Sequence, residues 1–333
     1  MKKTLVLMIA LLLTIAAFAG CSGAPAPSES AETQPSEAVS ESAPAPASEA
    51  PSAAGDTYKV YLITMDQMDQ HWVNVDAGCQ KAAAELGNVD YTWLAPDVKD
   101  DAKQIECINN AVAGGANAIL LAANGPDAVT AALEEATTAG VTIVYVDSAA
   151  NYDAAVQTLA TDNTAAGKTA GEQMLNALKA ASITEGKIGI VNVNAATASC
   201  VARENGFRSA FEGTDFELLE TQYGEGDAAK SKDIAANYIT QGCVGIFGAN
   251  EGSTVGTGNA IQEASAKVIG VGFDKSDMIL SLIKDGYLLC AMAQNPDVMG
   301  YEGMKTAVAS LSGETITEKN IDTGVSVLSK DNI

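Results

Sequence analysis

The chain has 333 residues, with 42 Asp and Glu against 19 Lys and Arg and a formal net charge of −23. A nucleic-acid-binding protein needs a basic face to meet the phosphates, and this charge balance excludes one, so we expect no nucleic-acid partner. About 280 residues follow the amino-terminal segments described next, which is enough for two domains of ordinary size.

The first residues have the pattern of a secretory signal. Two lysines precede an uncharged apolar stretch over residues 5–18, which is short for a membrane-spanning helix. The small residues directly before Cys21 resemble a lipoprotein cleavage box. We therefore predict a signal peptide over residues 1–20 and lipidation of Cys21, with an uncleaved anchor helix as the alternative. We expect an extracytoplasmic protein that lipid on Cys21 attaches to the outer face of the cell membrane. A periplasmic location is the alternative.

Residues 22–55 contain little but Ala, Ser, Pro and Glu, and they hold six of the nine prolines. Such a segment cannot bury enough apolar surface to offset the entropy lost on ordering. We predict that residues 21–55 form a solvated tether and that the folded part begins at about residue 56.

Five further cysteines lie far apart, without the C-x-x-C spacing of a redox or zinc site. Because the number is odd, at least one of them has no partner within the chain. Cys79 and Cys107 fall in consecutive predicted helices, where a disulfide is an alternative. Buried free thiols are the state that we expect.

From residue 58 onward, short apolar runs alternate with longer helical patterns. Residues 58–64 predict a strand, and the following helix places Trp72, Val75, Cys79 and other apolar residues up to Leu86 on one face at spacings of three and four. Further strands are predicted at residues 89–94, 118–122 and 142–146, with helices around residue 108 and over residues 127–139.

The alternation starts again after residue 161, with a helix up to about residue 180. Continuous apolar runs are typical of strands covered on both faces, so we predict an α/β protein with two successive doubly wound parallel sheets. Strands are predicted at residues 187–193, 217–222, 244–249, 268–273, 288–293 and 325–328, and helices at residues 203–211, 228–241, 253–264, 277–284 and 296–311.

Most of the strand-like runs end at a side chain that can form hydrogen bonds, such as Asp147, Asn250 and Asp274. In open parallel α/β sheets the ligand crevice lies outside the carboxyl ends of the strands, so these groups are expected to face one cleft. Beside these polar residues the sequence shows no metal-ligand cluster, no phosphate-binding loop and no nucleophile next to a base. We therefore expect reversible capture of a small polar molecule, with no metal, no cofactor and no enzyme activity.

An ordered set of segments resembles the ribose-binding protein group of bacterial sugar-transport binding proteins. The segments are TMDQMDQHWVNVDAGCQKAAAELG, VYVDSAA, LATDNTAAGKTAGEQM, VARENGF, FGANEG, GVGFDKSD and AMAQNPDVMGYEGMK. They span the chain from about residue 58 to its carboxyl end.

The resemblance implies a type I periplasmic-binding-protein fold, with two lobes joined by three crossover segments and a sugar held between them. By position, the first lobe comprises residues 56–161 plus 294–322, and the second comprises residues 162–293 plus 323–333. The implied protein is a monomer that delivers a sugar to an ABC import permease. A DNA-binding repressor with the same two-lobed core is excluded, because a secretion signal stands where the DNA-binding domain of such a repressor would be.

The resemblance also implies ligand-binding roles for three charged side chains. Asp147 in VYVD and Asp274 in GFD match carboxylates that accept hydrogen bonds from sugar hydroxyls. Asp274 could alternatively cap the following helix. Arg203, one of only two arginines in the chain, matches the R-x-x-G-F arginine whose planar fork binds sugar oxygens.

Amides and the first loop complete the predicted site. Asn250 and Gln294 match amides that donate to and accept from hydroxyls, with a helix cap and a hinge brace as their respective alternatives. Asp69, His71 and Trp72 occupy the places of an asparagine and two aromatic residues, and Trp72 could stack on a sugar ring. Because Met-Asp-Gln occurs twice in succession, Asp66 could take the place of Asp69.

Two positions depart from the ribose-binding group. Ser148 stands where that group has a second arginine, and Gly226 stands where it has a stacking phenylalanine. The pocket is therefore expected to be roomier on one side and poorer in positive charge. A neutral monosaccharide or polyol is the expected ligand, because unpaired like charge is costly to desolvate.

Two alternatives stay open at the level of sequence. One is a ligand sensor of the same fold that acts on a chemoreceptor or kinase in place of a permease. The other is a binding protein for a nucleoside or a furanose signal molecule.

Overall fold

A computed structural model describes residues 57–333 of the chain. The predicted signal peptide, the lipidation site at Cys21 and the tether lie outside the described residues. Among residues 57–333, no helix is both long and apolar enough to cross a membrane.

The first part of the chain builds a six-stranded sheet and the helices that cover it, which we call the first lobe. The strand order is β12-β5-β4-β3-β1-β2, all parallel. Its elements are β1 (Tyr58–Ile63), α1 (Gln70–Leu86), β2 (Val89–Leu94), α2 (Asp101–Ala113), β3 (Ala118–Leu121), α3 (Thr130–Thr138), β4 (Thr142–Val146) and β5 (Gln157–Ala160), joined later by α9 (Pro296–Leu311) and β12 (Asn320–Asp322).

The second lobe is a seven-stranded sheet with the helices on its faces. The strand order is β13-β11-β10-β9-β6-β7, with β8 paired to β6, and only β13 runs antiparallel. Its elements are α4 (Asn163–Ala180), β6 (Glu185–Asn192), α5 (Ala198–Ala210), β7 (Asp215–Leu218), β8 (Gln222–Tyr223), α6 (Ala228–Thr240), β9 (Cys243–Gly248), α7 (Glu251–Ala264), β10 (Ile269–Phe273), α8 (Asp277–Asp285), β11 (Cys290–Gln294) and β13 (Val325–Ser329).

Both faces of each sheet are buried by helices. In β3 all four residues are buried, and apolar side chains from α1 and α9 cover one face of the first sheet. In the second lobe a phenylalanine cluster packs between the sheet and α4 and α5, with Phe207 and Phe247 stacked at 4.3 Å between ring centroids. The continuous apolar runs in the sequence reflect this double cover.

The chain passes between the lobes three times, after β5, after β11 and after β12. Polar side chains tie these crossings together. Thr161 Oγ1 donates to Gln294 Oε1 at 3.0 Å, and Asn295 Nδ2 donates to the Thr323 carbonyl at 2.7 Å. Asp162 caps α4 by accepting from the Ala165 N–H.

The structure corrects several predicted elements. The strands β5 and β12 are additional to the predicted ones. Each is a short segment at a crossing, and neither contains the long apolar run on which the strand predictions rest. The predicted strand over residues 217–222 is broken into β7 and β8. Leu86, predicted on the buried face of α1, is exposed because it lies at the end of the helix before the turn at Gly87. Cys79, Cys200, Cys243 and Cys290 are buried free thiols, and Cys107 is a partly buried one.

Candidate functional site

Polar residues from both lobes meet where the strands end. Asp147 follows β4 in the first lobe, and Asp274 and Asn250 follow β10 and β9 in the second. All three are buried. Asp147 and Asp274 both have left-handed backbone conformations, with φ of 63° and 75°. Such conformations cost energy in residues other than glycine and are frequent at functional sites.

These residues surround a small cavity of about 20 Å³ between the lobes. All eight residues predicted to bind ligand line it: Asp69, His71, Trp72, Asp147, Arg203, Asn250, Asp274 and Gln294. Such a volume holds about one water molecule. A larger molecule can therefore enter only if the lobes separate or the lining side chains move.

Asp147 lies at the centre of the charged groups. Its Oδ2 lies 3.0 Å from His71 Nε2 and 3.6 Å from Arg203 Nη2, and its Oδ1 accepts from Ser199 Oγ at 3.3 Å. Burial by itself raises the pKa of Asp147, but His71, Arg203 and Ser199 together outweigh burial and hold this pKa below its ordinary value. Asp147 is thus a buried, ionised acceptor.

The guanidinium group of Arg203 on α5 is held by contacts on the side that faces away from Asp147. Its Nε donates to Asn163 Oδ1 at 2.7 Å, and its Nη1 donates to the Ala249 carbonyl at 3.1 Å. The guanidinium lies over the Phe273 ring, 4.4 Å from the ring centroid. These contacts fix the plane of the fork, so its remaining nitrogen points in one direction.

Three buried N–H groups around the cavity have no hydrogen-bond partner within residues 57–333: His71 Nε2, Trp72 Nε1 and Arg203 Nη2. His71 Nε2 and Arg203 Nη2 both lie near Asp147 Oδ2, but as charged neighbours and not as hydrogen-bond donors to it. Buried donors without acceptors are costly, and native proteins rarely keep them without a function. They indicate that the site is completed by a molecule that offers acceptor oxygens.

His71 bridges carboxylates of both lobes, because its Nδ1 lies 3.6 Å from Asp274 Oδ1 while its Nε2 faces Asp147. Burial by itself lowers the pKa of His71, but these two carboxylates outweigh burial and raise this pKa above its ordinary value. Its ring meets that of Trp72 edge to face at 4.7 Å. Trp72 belongs at once to the core of the first lobe and to the cavity wall.

The amides are partly committed to the protein itself. Asn250 Oδ1 caps α7 by accepting from the N–H and the hydroxyl of Ser253, and the cap leaves the Asn250 amide nitrogen unused. Gln294 accepts from Thr161 and donates to Asp274 Oδ1 at 2.6 Å.

The alternative that Asp274 caps the next helix is wrong, because Ser276 caps α8.

The loop after β2 contributes a charged residue that is not among the predicted site residues. Lys99, between β2 and α2, forms ion pairs with both Asp66 and Asp69. Of these two carboxylates only Asp69 lines the cavity. Burial raises the pKa of Asp69 to about 6, with Lys99 opposing the rise and the carboxylates of Asp66 and Asp274 adding to it.

Lys99 also overturns the expectation of a roomy pocket poor in positive charge. A Cβ atom at Gly226 would lie 2.7 Å from Lys99 Nζ and 2.8 Å from its Cε, so the lysine already fills the space beside the glycine. The small residue therefore makes room for a cation from the other lobe.

Other residues missed at the level of sequence join the two lobes. Glu251, the first residue of α7, accepts from the backbone N–H groups of Gln70 and His71, both at 3.1 Å. Thr197 Oγ1 donates to the Asn124 carbonyl at 2.8 Å. Each lies at a helix start near a predicted site residue, but nothing in the sequence shows which helix starts face each other.

A larger groove of about 570 Å³ lies beside the cavity and shares His71, Asp274 and Gln294 with it. The starts of α1, α8 and α9 line this groove. No group of three or more His, Cys, Asp or Glu residues suited to a metal ion occurs in residues 57–333.

Comparison with known families places the fold. The family described as periplasmic binding protein domain matches residues 60–315. The chain belongs to the periplasmic binding protein family. The predicted resemblance to sugar-binding members of this family is thereby confirmed, as is the predicted fold class of two doubly wound lobes with three crossings.

Individual members of the periplasmic binding protein family resemble the chain over most of its length. The ribose import binding protein of Haemophilus influenzae is 29% identical over 271 residues, which are 80% of this chain and 90% of that protein. An ABC transporter solute binding protein from Agrobacterium vitis, solved with D-fucose, has a TM-score of 0.79 and 31% identity, and the match covers 83% of this chain and 96% of that one. A carbohydrate transporter solute binding protein from Agrobacterium radiobacter, in complex with D-arabinose, has a TM-score of 0.79 and 32% identity, with coverage of 83% and 95%.

Proposed function

We propose that this protein captures a neutral monosaccharide or polyol between its lobes and delivers it to an ABC import permease. The observation that carries the proposal is the cavity in which unpartnered N–H donors face ionised carboxylates. A hydroxyl group both donates and accepts, so a ring of hydroxyls satisfies both kinds of group at once. The sugars named for the similar proteins of both Agrobacterium species support the same ligand class.

Residues from both lobes form the proposed binding site. The first lobe contributes Asp69, His71, Trp72 and Asp147, the second contributes Arg203, Asn250 and Asp274, and Gln294 lies at a crossing. A ligand that binds one lobe of the open form gains the hydrogen bonds of the other only after closure. Closure is favoured by this difference in affinity alone.

The charges around the cavity favour a neutral ligand over an anionic one. Asp69, Asp147 and Asp274 line it together with Arg203 and Lys99, and Lys99 is already paired with carboxylates. A ligand carboxylate or phosphate would add a further buried negative charge beside these three carboxylates, with which Arg203 and Lys99 already interact. Micromolar affinity needs about 8 kcal/mol, which several charge-assisted hydrogen bonds and one aromatic stack can supply.

The location that we propose is the outer face of the cell membrane, with lipid on Cys21 as the anchor. The tether that precedes the folded part would let the lobes reach a permease while the lipid stays in the bilayer. Replacement of Cys21 by Ser should release the protein from membranes and abolish incorporation of labelled fatty acid. Persistence of the label in the variant would contradict lipidation at this cysteine.

The ligand class is tested by a thermal-shift screen of the purified protein against monosaccharides, polyols, nucleosides and sugar acids. We expect a neutral monosaccharide or polyol to raise the melting temperature, and calorimetry of that compound to give saturable binding with no turnover of the sugar. Binding of nucleosides alone would contradict the proposal, and so would consumption of the bound sugar, since we propose no enzyme activity.

The permease is tested in cells of the source organism. Deletion of the gene should abolish uptake of the labelled sugar found in the screen, and the wild-type gene should restore it. Normal uptake with loss of a sugar-induced response would instead identify a sensor of the same fold.

A further inference from the structure

The cavity contains a second pair of opposite charges besides Asp147 and Arg203. Lys99 and Asp69 both line it, and the Lys99 Nζ lies 3.0 Å from Asp69 Oδ2. The Lys99 side chain is 7% exposed and that of Asp69 is 14% exposed, so the pair is shielded from bulk water.

Lys99 keeps one donor free after its contacts within the protein. An ammonium group has three N–H donors. One donates to Asp66 and one to Asp69, and the described residues offer no further hydrogen bond to this nitrogen. One N–H donor of Lys99 is therefore left over in a residue that lines the cavity.

The second lobe is shaped to receive this lysine. Gly226, with a φ of 74°, presents no side chain, and a Cβ atom there would lie 2.7 Å from Lys99 Nζ. Burial opposes a charge on Lys99, but Asp69 and Asp66 outweigh burial and raise the pKa of the ammonium group. The lysine thus stays protonated where the lobes meet.

We infer that Lys99 and Asp69 form a second diol-binding pair, which binds two neighbouring oxygens of the sugar at a place distinct from the Asp147 and Arg203 pair. This inference rests on the proposed function. Lys99 donates to one ligand oxygen while Asp69 accepts from the adjacent hydroxyl, because a cation beside a carboxylate matches the mixed donor and acceptor character of a vicinal diol.

Two such pairs restrict the class of ligand. Four ligand oxygens are engaged, so the ligand is a monosaccharide with free hydroxyls at both ends of the molecule. A nucleoside, whose base replaces a hydroxyl at one end, leaves one pair without its diol. Buried polar groups left without partners give strong discrimination against such analogues.

The test combines removal of the Lys99 ammonium with removal of single ligand hydroxyls. D-ribose, D-arabinose, D-xylose, D-galactose and D-fucose are titrated by calorimetry, and the tightest binder is then compared with each of its mono-deoxy analogues. We expect Lys99→Met to weaken the parent sugar at least tenfold. One deoxy analogue should bind wild type and Lys99→Met with equal affinity, because its missing hydroxyl is the one that Lys99 meets.

Two further variants separate recognition from folding. Lys99→Arg keeps a cation beside Asp66 and Asp69, so it should melt like wild type, but its larger planar head does not fit against Gly226 and should also weaken the parent sugar at least tenfold. Lys103→Met removes an exposed lysine that pairs with Asp97 at the surface, and it should leave every affinity within twofold of wild type.

The outcomes distinguish this inference from the proposed function. If wild type binds a sugar but Lys99→Met binds it within twofold, or loses the parent and all deoxy analogues equally, the diol-binding pair is overturned and sugar capture stands. If wild type binds no monosaccharide and no polyol, both are overturned.

Discussion

Glu251 of the second lobe accepts a hydrogen bond from the backbone N–H of His71 in the first lobe, at 3.1 Å. Its other oxygen accepts from the N–H of Gln70 at the same distance. These donors lie in the first turn of α1, where Asp69 occupies the cap position but forms no side-chain cap because it is paired with Lys99. The start of one helix is thus capped from the opposite lobe, and separation of the lobes would break this contact.

Sugar affinity is expected to rise about tenfold as the pH falls from 8 to 6. Burial, with the carboxylates of Asp69 and Asp274, raises the pKa of Glu251 to about 7 in the closed form, from an ordinary value of 4.5. A raised pKa means that closure takes up a proton, so this contribution is complete below the ordinary value and is lost as the pH rises through about 7. The raised pKa values of His71 and Asp69 act in the same direction. Calorimetry in buffers of different ionisation enthalpy measures the proton uptake directly.

Glu251→Gln should flatten most of this pH dependence, because an amide cannot take up the proton. Glu263→Gln, which changes an exposed glutamate paired with Lys232, is the matched control and should retain the dependence. An unchanged pH profile in Glu251→Gln would show that Glu251 is not the group that binds the proton.

Removal of either partner in the central charge pair should weaken sugar binding at least tenfold, or about 1.4 kcal/mol. In Asp147→Ala the sugar loses an ionised acceptor, and in Arg203→Ala it loses a fixed donor. Arg208→Ala is the control, because the other arginine binds Glu204 and Thr221 away from the cavity. Wild-type affinity by calorimetry in both site variants would refute the site, provided that their melting curves show folded protein.

The fold and part of the site can be predicted from the sequence for a physical reason, whereas the roles of Arg203, His71 and Trp72 are implied only by the resemblance to the ribose-binding group. Strands buried on both faces give long apolar runs, and the polar residue that follows each run lies at the carboxyl edge of the sheet. This pattern predicts Asp147, Asn250 and Asp274, and the structure brings them to one cavity. Their role in binding a sugar stays a prediction.

The missed features depend on contacts between distant segments. Lys99 follows β2 in a charged loop, and nothing local shows that it turns inward to Asp66 and Asp69. Gly226 has no side chain and therefore suggests an empty space, but Lys99 from the other lobe fills that space. Likewise, the contact of Glu251 with α1 depends on the closed arrangement of the lobes.

Thr197→Val should weaken every bound sugar by about fivefold without changing the order of preference among sugars. Thr197 does not line the cavity, but its hydroxyl donates across the lobes to the Asn124 carbonyl at 2.8 Å. Loss of one such bond costs about 1 kcal/mol, and only in the closed form. Thr240→Val, which removes an exposed hydroxyl on α6, is the control. A change in the order of preference would show that Thr197 acts on the ligand and not on closure.

Gly300→Ala should destabilise the protein, because a Cβ atom there would lie 2.0 Å from the Val75 carbonyl oxygen. Overpacking of this kind costs about 1–3 kcal/mol, more than the gain of about 1 kcal/mol in helix propensity. Denaturant unfolding should show the loss. Glu302→Ala on the half-exposed side of the same helix should stay within about 0.5 kcal/mol of wild type. A stability of Gly300→Ala equal to that of wild type would contradict the close approach of α1 and α9.

The central claim is that a sugar holds the two lobes together through side chains from both. Small-angle X-ray scattering of the purified protein, with and without a saturating amount of the sugar found by calorimetry, tests it most directly. The account predicts a smaller radius of gyration with sugar, and no change in Asp147→Ala at the same sugar concentration. An identical scattering profile of wild type with and without a sugar that is bound would contradict it.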